Sequence, residues 1–108
     1  MANPYAGEVD ISIDGVPYRM KLTLGALAEL EAGLSEGNFM DLVARFEGGR
    51  FSPGDVLALI VAGLRGGGWN GTGADIANAD IADGPLDAAR LAGLLLVRAF
   101  SVPDGDGG

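Results

Sequence analysis

Asp14-Gly15 stands between two runs in which apolar and polar residues alternate without a break, Glu8-Val9-Asp10-Ile11-Ser12-Ile13 before it and Val16-Pro17-Tyr18-Arg19-Met20-Lys21-Leu22 after it. A period of two is the signature of a half-buried strand. Asp-Gly suits a two-residue type I′ turn, which needs positive φ at both positions. Such a turn fixes the register: Val16 opposite Ile13, Tyr18 opposite Ile11 and Met20 opposite Val9 on one face, Arg19 opposite Asp10 and Lys21 opposite Glu8 on the other. The first face is apolar; the second carries cross-strand ion pairs worth roughly 0.2–1 kcal/mol each. Pro17 has no N–H to give a ladder, which makes the second strand an edge. A lone hairpin is marginal in water, so Val9, Ile11, Val16, Tyr18 and Met20 must lie against the rest of the chain.

The rest of the chain reads as helix. Thr23 can cap a segment carrying Leu24, Leu27, Leu30 and Leu34, closed by Gly33 and Ser35-Glu36-Gly37. Asn38, with Asp41 three residues on, opens a second helix with Phe39, Leu42, Val43 and Phe46 on one face, and Gly48-Gly49 ends it. Ser52-Pro53-Gly54-Asp55 combines a capping hydroxyl, proline in the first turn and a carboxylate placed for the free N–H groups. The helix it starts runs through Val56, Leu59, Ile60 and Leu64 to Gly66-Gly67-Gly68. Thr72 opens a short, weak helix, and Gly84-Pro85-Leu86-Asp87 opens a strong one reaching about Phe100. The expected fold is α+β and mostly α, an N-terminal β-hairpin (8–22) packed on a bundle of four to five helices (23–101).

At 108 residues the chain has the size of one domain, expected over 1–102, with 103–108 an acidic, glycine-rich disordered tail. Hydrophobic residues make up 48%, enough for a core, and the net charge of −8 opposes binding to nucleic acid and to anionic membrane surfaces. Cysteine and histidine are both absent. This removes thiol nucleophiles, thiolate zinc sites, the usual general base near neutral pH and the commonest metal ligand, so a non-enzymatic protein without cofactor or metal is expected. No apolar run is long enough to span a bilayer, and Met1-Ala2-Asn3-Pro4-Tyr5 does not read as a signal peptide, which places the protein in the cytoplasm.

The remaining motifs weigh toward structure. Gly63-Leu64-Arg65-Gly66-Gly67-Gly68 lacks the lysine of a phosphate loop and follows a helix where such a loop precedes one, so it reads as a helix stop. Asn70-Gly71-Thr72 has the form of a glycosylation acceptor without a secretory context. Gly71-Thr72-Gly73-Ala74-Asp75 resembles a single calcium-binding nonapeptide, a unit that needs stacked copies. Ala74-Asp75-Ile76-Ala77-Asn78 and Ala79-Asp80-Ile81-Ala82-Asp83 repeat almost perfectly, but a pentapeptide solenoid needs many more copies than two. Asp75, Asp80, Asp83 and Asp87 could offer oxygens to a hard cation, yet their spacings scatter them around a helix, and a solvated face is the stronger reading. Paired-carboxylate glycoside chemistry needs binding aromatics, and aromatics are only 6% of the chain.

Two features point to a contact surface. The last helix carries Leu91, Leu94, Leu95, Leu96 and Val97 around most of its circumference, more than the stripe of about 100° or somewhat more that a bundle covers. Some of these must meet another chain or the hairpin. Leu94 and Leu95 read as core, and Leu96 as the contact. Trp69, among glycines, reads either as a ligand platform or as a cap on the core, the second being favoured. The candidate partner-binding residues are Leu91, Leu95, Leu96, Phe100 and Trp69.

In order along the chain, the opening Met-Ala-Asn-Pro-Tyr-Ala-Gly-Glu-Val, Lys21 to Glu31 after the hairpin, Arg50-Phe51-Ser52, Val61 to Trp69 and Gly84 to Arg90 together resemble the small tail protein of gene transfer agents, phage-derived particles of alphaproteobacteria. The resemblance extends to about Phe100. It implies a part in building a siphophage-like tail, either as a tail tube protein or as a tail assembly chaperone, with no catalytic residues to carry over. The chaperone class binds the long tape-measure protein and helps tube subunits polymerise around it. A tube subunit should be largely β, whereas about fifteen residues here read as strand, and this favours the chaperone. The expected partners are the tape-measure protein, tail tube subunits, or both, with a homo-oligomer also open, in the cytoplasm or within the assembled particle. The alternatives are a structural, tube-associated tail component and an acidic regulatory or antitoxin-like binding module.

Overall fold

The computed structural model of the chain describes residues 7–34 and 37–100. Its elements run β1 (Glu8–Ile13), β2 (Val16–Lys21), α1 (Leu24–Ala32), α2 (Phe39–Glu47), α3 (Pro53–Gly66), α4 (Gly73–Ala77) and α5 (Gly84–Phe100). The architecture is α+β and mostly α, an antiparallel hairpin followed by five helices. Part of the predicted stop of α1 (35–36) and the predicted tail (103–108) lie outside the described residues.

Asp14 and Gly15 both take positive φ, 52° and 80°, and the register is the predicted one from Glu8 opposite Lys21 to Ile13 opposite Val16. Val9, Ile11, Ile13 and Met20 are buried and Tyr18 is half-buried. Val16 departs from the expectation, at 48% exposed. Its partner Ile13 takes its cover from Ile81, which forms an antiparallel bridge with it and leaves Val16 outside. On the polar face Arg19 pairs with Asp10 at 3.0 Å and reaches diagonally to Glu8 at 3.6 Å. The long guanidinium thus takes the carboxylate that the register places opposite Lys21.

The free side of β1 is covered near the turn. The Asp14 N–H donates to the Asp80 carbonyl (2.8 Å), the Ala82 N–H donates to the Ser12 carbonyl (3.0 Å), and the Asp80 N–H donates to Asp14 Oδ1 (2.8 Å). At the other end Arg98 donates to the Glu8 carbonyl (2.6 Å). The two copies of the pentapeptide repeat therefore take different forms: the first makes α4, with Ile76 buried, and the second extends along β1.

Helix α3 is the axis of the core, with Leu59, Ile60, Ala62 and Leu64 buried and β2, α1, α4 and α5 all packed on it. The capping residues act as the sequence proposes. Thr23 Oγ1 accepts from the Ala26 N–H, Asn38 and Asp41 form a reciprocal capping box, and so do Ser52 and Asp55. Asp55 also receives Arg45 of α2 in a two-point pair, 2.9 Å at each contact. The Arg45 guanidinium holds the Asp55 carboxyl below the ordinary aspartate range, against the opposing effect of burial. Gly66 and Gly67 do more than stop α3. A β-carbon on Gly66 would collide with the Lys21 carbonyl oxygen, and one on Gly67 with that of Arg19, so these glycines let the backbone of β2 lie directly on the end of the helix.

The expectation for α5 is corrected. Leu91, Leu95 and Leu96 are buried within the chain itself, at 8%, 0% and 5% exposure, while Leu94 is only half-buried. With Ala88 and Ala92 they form one i, i+3, i+4, i+7, i+8 stripe, gripped by α3 and by β1 of the hairpin. The hairpin takes part of the apolar surface that α5 shows in excess, while Val97 at 63% and Leu86 at 88% exposure stay outside the core.

Candidate protein-contact surface

The predicted contact residues whose side chains are described do not form a surface. Leu91, Leu95 and Leu96 are core. Phe100 ends α5, and its side chain lies outside the described residues. Trp69 is half-buried against the core cluster, its N–H donates to the Leu64 carbonyl (2.9 Å), and its indole lies over Gly71, where a β-carbon would strike the ring. This is the core-cap arrangement.

The acidic run also disperses. Asp75 caps α4 by accepting from the Thr72 N–H (2.8 Å), Asp87 pairs with Arg90 (2.7 Å), and Asp80 and Asp83 are exposed. Among the described residues no three acidic side chains converge as a metal site would require.

What the sequence reading did not find is an apolar groove of about 690 Å³ between the first halves of α3 and α5, floored by Ile60, Ile76 and Ala88. Its walls include Phe51 and Leu57 on one side, Ile81 on the α4 side, and Leu86, whose side chain is 88% exposed at the lip. The first turn of α3, capped by Ser52, and the first turn of α5, from Gly84, both line the groove, and residues of the Ala-rich repeat lie between them. Small side chains such as Ala77, Ala79 and Ala89 keep the groove open. A sequence signal was present in Leu86, a large apolar residue displaced from the Ala88-Leu91-Ala92-Leu95 stripe, and in Leu57, displaced from Leu59 and Ile60.

The charge within the groove is of one sign, although Arg50 and Arg90 each adjoin a lining residue in the sequence. Residues 66–89 hold Asp75, Asp80, Asp83 and Asp87 and no lysine or arginine. Asp80 lines the groove, and no lining residue is basic. Elsewhere Arg19, Arg45, Arg65 and Arg90 are each committed to a carboxylate of their own chain. A second cleft, about 630 Å³, mixes Asp10, Ser12, Arg19, Asp87 and Arg90 and has no such uniform character. No described helix is long and apolar enough to cross a membrane.

Among the described residues the fold thus pairs the polar face of its hairpin and leaves an apolar groove between α3 and α5. No curated protein and no solved structure matches the chain. The protein-family model described as "Phage tail tube protein, GTA-gp10" matches residues 6–102, almost the whole length, and the chain belongs to that family of gene transfer agent tail proteins.

Proposed function

We propose that this gene transfer agent tail protein acts without catalysis, as an assembly chaperone that holds the tape-measure protein while tail tube subunits form around it. The observation that carries this reading is the state of the strand edges. A subunit that builds a tube by pairing strands with its neighbours needs an open edge. Among the described residues the sheet is one six-residue hairpin pair, the outer edge of β1 is taken at its two ends, at Ser12 by Ala82 and at Glu8 by Arg98, and the Arg19 and Lys21 carbonyls of β2 abut the end of α3. The apolar groove, by contrast, is free among the described residues to take a partner. Family membership leaves the antitoxin-like alternative without support.

A second reading, a tube component that stays in the particle, is favoured by the family's description as a tail tube protein. Quantitative mass spectrometry of purified particles separates the two. The chaperone reading expects the protein to be absent from particles and to co-purify with the tape-measure protein from cells in mid-assembly. Its presence in particles at the copy number of the tube would establish the second reading instead.

A further inference from the structure

We infer that the groove between α3 and α5 is the seat of an amphipathic helix with an apolar face and a lysine- or arginine-rich flank, supplied by another protein. The inference rests on the reading above that the protein works by holding a tail protein, and it names the site and the chemistry of what it holds.

Two features select the occupant. The first is backbone satisfaction. Most of the wall is helix α3 and helix α5, whose N–H and C=O groups beyond the first turns are used within the helix, and among the lining side chains only Asp80 is charged. An extended peptide laid there would bury N–H and C=O groups with few partners along the helical walls, whereas a helix brings its own hydrogen bonds and needs only apolar side chains to offer. The second is charge complementarity. Asp80, exposed and part of the lining, has no ion-pair partner among the described residues, while Asp83, also exposed, lies near enough to Arg90 to act on its charge. A second copy of this chain would bring its own net charge of −8 against that side. A cationic flank meets it favourably and is steered toward it.

Leu86 is the residue on which the test turns, because it lies at the lip, is 88% exposed and carries no part of the core. The probe is a synthetic 18-residue peptide with leucine at helical i, i+3, i+4, i+7 spacing and lysine elsewhere. It is compared with a scramble of the same composition that has no apolar face and with a version carrying glutamate for lysine. Binding to the intact protein is read by fluorescence anisotropy. The lysine peptide should bind at least about tenfold more tightly than either control. Its affinity should fall on raising the salt from about 50 to about 300 mM, and again in the Asp80→Asn, Asp83→Asn double variant. Leu86→Ser should weaken it by about tenfold, whereas Leu24→Ser, equally exposed on α1, should leave it unchanged.

Equal binding of the scramble would mean a non-specific charge effect and would overturn the assignment, as would an unchanged affinity in Leu86→Ser. If the wild type sediments as an oligomer and Leu86→Ser dissociates it, the occupant is a second copy and the inference is wrong. None of these results depends on whether the protein remains in particles, so the chaperone reading can fail while the groove assignment stands, and the reverse.

Discussion

Replacing Gly66 by alanine adds one methyl group to the last turn of α3. Helix propensity alone predicts a gain of about 1 kcal/mol for that change. The structure predicts the opposite sign. The new methyl would meet the Lys21 carbonyl oxygen, with the Lys21 carbonyl carbon at 3.1 Å and the Ala26 Cβ at 3.2 Å. The carbonyl belongs to the backbone of β2, which is held in register with β1, and the neighbouring Met20 is fully buried. No side-chain rotation relieves the contact; the strand must move and take Met20 with it. Overpacking that forces side-chain and backbone shifts costs about 1–3 kcal/mol and occasionally more, and a collision with a backbone carbonyl belongs at the upper end. A gross cost near 3–4 kcal/mol less the propensity gain leaves a net loss of about 2–3 kcal/mol, which lowers Tm by roughly 10–20 °C in a domain of this size. Gly25→Ala is the control. It is also helical, its nearest neighbour is Thr23 Oγ1 at 4.0 Å, and it should gain about 0.5 kcal/mol. Urea and thermal unfolding followed by circular dichroism measure both. A Gly66→Ala variant as stable as wild type, beside a stabilised Gly25→Ala, would show that β2 does not rest on the end of α3.

Four further outcomes are expected. Ile11→Ala should cost about 2–5 kcal/mol in urea unfolding and Ser12→Ala no more than about 0.5 kcal/mol; similar costs would mean that the hairpin faces are assigned the wrong way round. Leu96→Asp should prevent folding, as judged by loss of the circular dichroism transition, because it puts an unpaired carboxylate into a site 5% exposed, whereas Leu86→Ser should leave stability within about 0.5 kcal/mol. Arg45→Met should cost roughly 2–3 kcal/mol at neutral pH, since it leaves the Asp55 carboxylate 12% exposed beside the start of α3 without its cation. Because that pair lowers the folded pKa of Asp55, its contribution is complete above the ordinary aspartate value of about 3.9 and fades as the pH falls through the lower folded value, so the gap between wild type and Arg45→Met should narrow in acid; a gap that widens there would refute the pairing.

The parts of the fold that were legible in the sequence are those fixed by local chemistry. Asp14-Gly15 determined the turn and through it every cross-strand pair, and Thr23, Asn38 and Ser52 determined where three helices begin, because each acts on atoms within a few residues of itself. The parts that were missed depend on what a residue lacks. Gly66 and Gly67 read as a plain helix stop, since nothing in a one-dimensional pattern shows that a strand 45 residues earlier needs the space of their missing side chains. Ala88 and Ala92 were passed over for the same reason. The two alanines complete with Leu91, Leu95 and Leu96 the stripe that α3 and β1 cover between them, and Leu94, Val97 and Leu86 lie off it. The Ala-Asp-Ile repeat carries the point furthest. Its two copies are nearly identical, so local propensity cannot explain why Ile76 ends up in a helix and Ile81 in a bridge to Ile13. The free edge of β1 decides it, because Asp14 and Ser12 offer a donor and an acceptor that only the second copy is placed to meet. With residues 80–82 drawn onto the hairpin, the second copy enters the α3–α5 crevice only through Ala79, Asp80 and Ile81 at its edge, and small side chains and Ile76 floor it. The groove is thus a consequence of how β1 is finished, and it could not have been located from the hydrophobic pattern of the helices that form its walls.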